Sequence, residues 1–496
     1  METFDARQLA CIASSTKTIW WKFHIVDNLS NNYYWSIQDV PDLVQAYTFN
    51  IVDFSGITLR RNKSESGIHA PNEVTFSIVN KDNTYTAANF KDGTVSISLV
   101  IDDGIGEETC GTWVFDIKSA SPYNQQIDIV CVDFLQKYLK GSYPNTRNIS
   151  DIFPSTDATP DDALCIPEIY GTAYIPLRSV YADGSRYYIL GDTTKTYTIS
   201  EVRMPRELGK QIWESPTYDF TQATKADGDA TDWRMFQAMI ADGSPGIFLS
   251  GTTILDLPTK LSTSDTASMT SPADIIEQVM LNMGVPAAYI DSSALTAAKA
   301  IYTSWGLEFN FAYYYKQDRT KVISQLLSMC HSYIEVGDKL RLKVLSKTPV
   351  KTITDSEVTK DDVASPPNFS YSDTVSEMTS DSGYIAYNVS GETQNELIKI
   401  IVPAKSTTYT IDSEIFECPA VQDSQDVQRI GTLRLQRKFL KMGDVDAKLK
   451  GTCLALRPDD VITIDDANFG GTYNVLVDEI KISYDATVDI SCLKFS

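Results

Sequence analysis

The sequence is poor in the residues that carry most enzyme chemistry. It has three histidines in 496 residues, His24, His69 and His331. They read into a strand, a loop and a helix end. No HExxH pair and no cysteine partner stands at ligand spacing, so a metal finds no ligand set, and surface or packing roles account for the histidines better. There is no GxSxG elbow, which leaves a serine hydrolase without its nucleophile turn. GxGxxG and phosphate-loop patterns are missing too, and with them the usual phosphate cradles. Gly104-Ile-Gly106 reads as a turn between strands. No catalytic, cofactor-binding or metal-ligating residue is assigned. No cofactor is expected, and the chain is not expected to be an enzyme.

Long apolar runs are missing as well. None approaches the ~18 residues of a membrane helix, so no membrane segment is expected. The opening METFDARQLACIASS carries Glu2 and Asp5 and lacks the basic start and apolar stretch of a secretory signal. The eight cysteines (11, 110, 131, 165, 330, 418, 453 and 492) are dispersed, with no CxxC pair. That pattern fits a reducing cytoplasm, with the thiols buried as small apolar groups. The sequons Asn28-Leu-Ser30 and Asn388-Val-Ser390 then carry no glycan expectation.

Positive charge is in short supply. Lys and Arg number 43 against 65 Asp and Glu, a net charge of −22. Such a chain has little counterion-release gain to draw on at nucleic-acid phosphate. A basic set sits on the helix read over 423–441: Arg429, Arg434, Arg437, Lys438 and Lys441. It has no interleaved aromatics, so it reads as a solvated or subunit-contact face. The acid pairs Asp102-Asp103, Asp161-Asp162, Asp361-Asp362, Asp459-Asp460 and Asp465-Asp466 could bind calcium or supply glycosidase carboxylates. None fits an EF-hand loop. All fall at expected turns, where Asp is favoured for its own backbone hydrogen bonds.

What the chain does have is strand pattern. Its length suggests three or four domains. Hydrophobic residues make up 43%, enough for packed cores throughout. Residues 17–145 read as antiparallel strands at Thr18–Val26, Tyr33–Ile37, Ala46–Val52, Val74–Val79, Val95–Leu99, Trp113–Ile117 and Ile127–Val132. Alternation such as Val74, Phe76, Ile78 marks one buried face. A short helix is expected over Asp133–Leu139, stopped by Gly141. A polar linker over 146–165 leads to short strands at Tyr187–Leu190, Tyr197–Val202 and Gly246–Leu249, with Thr221–Asp232 as a loop. Ser271-Pro-Ala-Asp274 has the N-cap and first-turn pattern of a helix whose Ile275, Ile276, Val279 and Met283 share a face. A second helix starts near Asp318. A hairpin, Tyr333–Val336 and Lys339–Leu345, follows around Gly337-Asp338. A further linker spans 349–380. Then come a strand over Glu396–Val402, the helix Asp423–Lys441 capped by Gly443, and strands Ala447–Leu456, Asp460–Ile464, Tyr473–Ser483 and Thr487–Phe495. No repeat stands out at the level of sequence identity.

The expected fold is mainly β with α+β parts. Four domains are read: 1–145, a first tube-like β domain; 146–262, a small β domain; 263–360, an α+β domain; and 361–496, a second tube-like β domain.

Three segments resemble the hub proteins at the distal end of long-tailed bacteriophage tails. Leu456-Arg-Pro-Asp-Asp-Val-Ile462 is similar to the family's L-x-P-G-D-x-I step, with Asp459 in the Gly position, and Asn474–Ile482 follows as the next strand. Cys165-Ile-Pro-Glu-Ile-Tyr-Gly-Thr-Ala-Tyr-Ile-Pro-Leu177 resembles the P-x-x-Y-G-x-A-x-x-P segment that opens the second hub domain. Residues 271–348 resemble the third. The resemblance implies a homotrimer in which two tube-like β domains per chain present a pseudo-sixfold ring to the tail tube. It implies contacts with the distal tail protein, the tape measure protein and tip or fibre proteins. It implies a virion location with assembly in the host cytoplasm, and a channel that DNA passes without specific binding. An acidic lumen would suit that passage. No catalytic residue carries over.

Two other classes stay open. A receptor- or carbohydrate-binding virion protein needs an exposed platform, with Trp20, Trp21, Trp35, Tyr33 and Tyr34 as candidates, though aromatics usually pack in cores or interfaces. A cell-wall hydrolase would need carboxylates distant in sequence.

Overall fold

The chain is mainly β with α+β parts in a computed structural model. The structure describes residues 4–14, 16–38, 46–60, 67–69, 73–152, 164–182, 185–202, 204–207, 210–214, 218–226, 232–240, 248–249, 252–253, 256–346, 348–358, 370–372, 382–388, 395–401, 414–418, 421, 424–438, 444–466 and 471–495.

Helix α1 (Ala6–Ala13) opens the chain under a capping box formed by Asp5 and Gln8. It buries Cys11 and Ile12 against the first sheet. That sheet contains β1 (Thr18–Val26), β2 (Asn32–Ser36) and β3 (Ile51–Phe54). Two further strands, β4 (Ile57–Arg60) and β5 (Ile68–His69), leave it for other sheets. It resumes with β6 (Val74–Val79), the helical turn α2 (Ala87–Phe90), β7 (Thr94–Asp102), β8 (Glu107–Tyr123) and β9 (Gln126–Asp133). The order is β2-β1-β7-β8-β9-β6-β3, with Thr48–Phe49 added parallel beside β2. Trp21, Phe23 and Ile25 turn inward on β1, while Trp20, Lys22 and His24 occupy its other face, as alternation requires.

The small β unit begins at β10 (Leu164–Tyr170) and β11 (Ala173–Ala182) and continues through β12 (Ser185–Asp192), β13 (Tyr197–Val202), β14 (Tyr218–Ala226), β15 (Asp232–Ile240) and β16 (Asp256–Thr263). Six of these form one sheet, β13-β16-β11-β12-β15-β14. The expected loop at Thr221–Asp232 is corrected here. Its first half is strand β14, paired from Tyr218↔Ile240 to Ala226↔Asp232. An edge strand needs only one partner, so its polar Thr and Gln residues sit there without penalty.

The α+β unit holds helices α3 (Pro272–Asn282), α4 (Ser292–Trp305) and α5 (Arg319–Met329), with strands β17 (Phe311–Tyr315), β18 (Ser332–Val336) and β19 (Leu340–Val344). Ser271 does stand at the α3 N-cap, yet its hydroxyl makes no capping bond. Helix α4 was not expected. Asp291 caps it, Leu295, Ala298 and Tyr302 form its buried face, and Gly306 ends it at φ 68°. The β18–β19 hairpin forms as expected, and β5 adds to β18 in parallel.

The C-terminal unit comprises β20 (Lys351–Thr354), β21 (Ser370–Ser372), β22 (Ser382–Asn388), β23 (Asn395–Ile401), β24 (Glu414–Cys418), α6 (Ser424–Lys438), β25 (Asp444–Leu449), β26 (Val461–Asp466), β27 (Gly471–Ile482) and β28 (Val488–Phe495). Its main sheet runs β20-β26-β27-β28-β25-β21, and β22 pairs with β23 and β24 in a separate one. Three expectations are corrected. Part of the 349–380 linker is β20, parallel to β26. The strand read over Ala447–Leu456 stops at Leu449, and Gly451–Cys453 forms a 3-10 turn. The helix read over Asp133–Leu139 shrinks to one turn, Gln136–Leu139, because Asp133 ends β9 and its carboxylate accepts from the Leu135 N–H. Within the 146–165 linker, Ile149 and Ile152 are buried and Leu164 starts β10. The Gly443 cap and Asp423 lie outside the described residues.

One apolar core joins the first sheet to the C-terminal sheet, from Cys11 through Cys131 to Ile353 and Cys492. A second core belongs to the α+β unit and takes in Val421, Val427 and Ile430 from the C-terminal unit.

Candidate assembly site

The two large sheets contain the same five-strand unit built twice. Each has a three-strand meander, β7-β8-β9 in one and β26-β27-β28 in the other. Beside the last strand lies β6 or β25, and outside that β3 or β21. A short helical turn links β6 to β7 and β25 to β26. The register is shared residue by residue. Phe115 faces Val95 and Ile117 faces Cys131; in the second unit Val475 faces Ile462 and Val477 faces Cys492. Each middle strand carries a one-residue bulge at the same place, Lys118 and Asp478.

The turn before each meander repeats too. Asp92 N–H donates to the Ile117 carbonyl at 3.1 Å, and Ile117 N–H to the Gly93 carbonyl at 2.8 Å. Asp459 N–H donates to the Val477 carbonyl at 2.8 Å, and Val477 N–H to the Asp460 carbonyl at 2.9 Å. Asp92 (φ 64°) and Asp459 (φ 69°) both take the left-handed conformation. Asp tolerates that region better than most residues, so Asp459 fills the place where glycine is usual. Pro458 sits at the preceding turn position, where its fixed φ fits.

Inward side chains match in burial. Val74, Ile78, Ile97, Ile127 and Ile129 correspond to Val445, Leu449, Ile464, Val488 and Ile490, and all ten are buried. Each contributes roughly 1.5–3 kcal/mol on leaving water. The outward faces have diverged. Thr75, Ser77, Ser119 and Ser121 of the first unit correspond to Asp446, Lys448, Glu479 and Lys481 of the second. Those charges, with Asp489, surround a shallow groove of about 350 Å³. A sequence trace of the repeat exists: Asp128-Ile129-x-Cys131-x-x-Phe134 against Asp489-Ile490-x-Cys492-x-x-Phe495. The expectation of no repeat is therefore corrected; four identities fall below notice until register aligns them.

The two units are joined by strand exchange. β4 leaves the first unit and pairs antiparallel with β27, from Ile57↔Ile482 to Arg60↔Glu479. Arg60 and Glu479 also form an ion pair at 3.3 Å. Gly56 (φ 77°) allows the crossing, since a Cβ there would stand 2.7 Å from the Ile482 oxygen.

A buried ion network ties the second unit to the α+β unit. Arg457 is 3% exposed and contacts Glu335 of β18 at 2.9 Å. Its guanidinium also donates to the Leu454 and Leu456 carbonyls, both at 2.8 Å. Burial pushes the Arg457 pKa down to about 10, and Asp460 opposes that shift, so it stays charged at neutral pH. Glu335 meets Lys343 at 2.7 Å, and Arg341 reaches Asp291 at 3.3 Å and Asp338 at 2.6 Å. Phe90 holds the position of Arg457 in the first unit, where it is buried against Tyr33, Trp35 and Tyr85. The same slot is thus apolar in one unit and a junction in the other.

A second junction lies between the small β unit and the α+β unit. Glu168 accepts from Tyr170 Oη at 2.9 Å and from Asn282 Nδ2, and Tyr170 Oη is 2.7 Å from Tyr143 Oη. Burial raises the Glu168 pKa above its ordinary 4.5, against hydrogen bonds that favour the anion.

The residues singled out in the sequence are dispersed. His24 stacks on Tyr34 and bonds Asn32; His69 is on β5; His331 is buried. Asp102 and Asp103 cap their own turn, and Asp103 forms a bidentate pair with Arg7 of α1. Asp465 accepts from Thr472. Asp161-Asp162 and Asp361-Asp362 lie outside the described residues. Among the described residues no cluster of three His, Cys, Asp or Glu side chains could hold a metal. No described helix is long and apolar enough to cross a membrane. Trp21 and Trp35 are core residues, and Trp20 is buried against Val100 and Tyr47, so the candidate platform is not an open one. Arg429 pairs with Asp426 and donates to the Trp305 carbonyl. The side chains of Arg434, Arg437 and Lys438, and all of Lys441, lie outside the described residues.

No protein-family model matches the chain, and no curated protein does. Its fold is similar to a tail protein from Neisseria meningitidis MC58, with 9% identity, 96% of each chain covered and a TM-score of 0.41. It is similar to the 43 kDa tail protein of prophage MuSo2 from Shewanella oneidensis, with 10% identity, 95% of this chain and 98% of that one covered, and a TM-score of 0.43. It is also similar to a chain in the virion of a native gene transfer agent particle, with 9% identity, 72% of this chain and 91% of that one covered, and a TM-score of 0.48.

Proposed function

We propose that this chain is the structural hub of a phage tail tip or baseplate. Three copies form a ring in which two β units per chain stand in six similar places and continue the tail tube. The observation that carries this is the repeat, shared in register, bulge, turn and burial. A chain with two equivalent units can offer a threefold ring to a sixfold partner. The segments 165–177, 271–348 and 456–482 that resemble hub motifs support the same reading, and 1–145, 146–262, 263–360 and 361–496 are proposed as its domains, with Lys351–Thr354 lent to the C-terminal sheet.

In this role the chain works by packing and not by reaction. The distal tail protein, tape measure protein and tip or fibre proteins are its neighbours in the virion tail, after assembly in the host cytoplasm. DNA passes the channel without being gripped, in keeping with the net charge of −22. Light scattering with negative-stain imaging tests the proposal. A threefold ring of three 55.1 kDa chains is expected. A particle that stays monomeric with its tail neighbours present would refute it. Release of soluble sugar or peptide from cell wall would refute the non-catalytic part alone.

A further inference from the structure

The repeat exposes an inequality between its two halves. In the second unit the edge of β27 beyond the end of β26 is covered by β4, which pairs with Glu479–Ile482. By register the equivalent edge in the first unit is Ser119–Pro122 of β8, since Ala120 faces Ile129 as Ile480 faces Ile490. Among the described residues no strand pairs with that edge. Ser121 and Pro122 are exposed.

The edge keeps one of the two backbone donors that the covered edge uses. The Ile482 carbonyl turns toward the incoming chain at Gly56, so Ile480 and Ile482 present their amides to β4. Their counterparts are Ala120 and Pro122. Proline has no N–H to offer, which is tolerated on an edge and leaves the β9 ladder intact. Ala120 supplies the remaining donor.

We propose that Ser119–Pro122 is the docking edge for a second copy of this chain, which adds an extended segment of its C-terminal β unit there. Within one chain the first unit lends a strand to the second. Around a ring the second unit of one copy must meet the first unit of the next. A closed ring of near-equivalent units repeats its contact, so the exchange seen inside the chain recurs between chains. The proposal rests on the ring reading above.

Two measurements on the full-length chain test it. Hydrogen exchange is followed across Lys118–Tyr123 in the assembled particle and in dilute monomer. About one more slowly exchanging amide, that of Ala120, is expected on assembly. A ring whose 118–123 peptide exchanges as in the monomer overturns the docking edge and leaves the ring standing. A chain that never assembles overturns both. Ala120→Pro removes the last edge donor without touching the β9 ladder. It is expected to shift assembly at least tenfold toward monomer with an unchanged monomer melting temperature. Unimpaired assembly of a folded Ala120→Pro chain overturns the docking edge. Where this variant does not fold, the exchange measurement on the parent chain decides.

Discussion

Arg457→Met is expected to uncouple the C-terminal unit from the α+β unit. The guanidinium lies 2.9 Å from Glu335 and is 3% exposed. Methionine keeps much of the length and none of the charge. Glu335 then loses one partner and keeps Lys343 at 2.7 Å and Arg341 at 4.0 Å. Breaking one side of a buried pair costs about 3–5 kcal/mol, and the surviving lysine places this case near the lower end. The Leu454 and Leu456 carbonyls also lose a donor. For a unit of this size 1 kcal/mol moves the melting temperature by about 2–4 °C, so a drop of roughly 6–12 °C is expected. Differential scanning calorimetry reads it, and the transitions of the two units should separate, since a multidomain chain need not melt as one. The double variant Arg457→Met with Glu335→Leu should recover part of the loss, because no buried carboxylate is left uncompensated. A single-variant shift below about 2 °C would mean that Lys343 and Arg341 compensate Glu335 without Arg457, and the junction would carry no weight.

Gly56→Ala places a Cβ 2.7 Å from the Ile482 oxygen at a φ of 77°, and the left-handed conformation alone costs about 1–2 kcal/mol. It should loosen β4 and make Arg60 sensitive to trypsin; an uncut variant melting like its parent would contradict the crossing. Glu168→Gln tests the second junction. A carboxyl whose folded pKa is raised gives full stability below its unfolded value and loses it as pH rises. The variant should therefore match the parent at and below about pH 4.5 and melt higher than it once pH has risen through the folded pKa; a difference constant across pH would remove Glu168 as the cause. The seven cysteines whose side chains are described are buried free thiols, and burial pushes Cys110 up to about 12. Maleimide labelling counted by mass spectrometry should modify at most Cys418 in the native chain, and rapid labelling of three or more thiols would contradict the packing.

Much of the local structure was legible. Thr18–Val26, Val74–Val79 and Tyr197–Val202 are strands at the bounds read from the sequence. Alternation is visible because one face of each strand meets a core and the other meets water or a polar neighbour. Helix α3 was legible from Ser271, Pro272 and its apolar face. Helix α4 was not, although Asp291 and Gly306 bracket it, because the apolar Ala297, Ala300 and Ile301 lie on its exposed face and blur the period. Strand β14 was hidden by polar residues that an edge position accepts.

Most of the strands could be read from the order of residues along the chain. Composition and alternation are properties of neighbouring residues, and those survive in one dimension. Tertiary structure alone decided that residues 74–134 and 445–495 are one unit made twice, that β4 is lent from one to the other, and that Phe90 and Arg457 hold the same slot. Register is a relation between strands far apart in the chain, and a core asks only that inward positions be apolar and fit. Identity could therefore decay to four residues in a strand while five equivalent inward pairs, from Val74 and Val445 to Ile129 and Ile490, stayed buried.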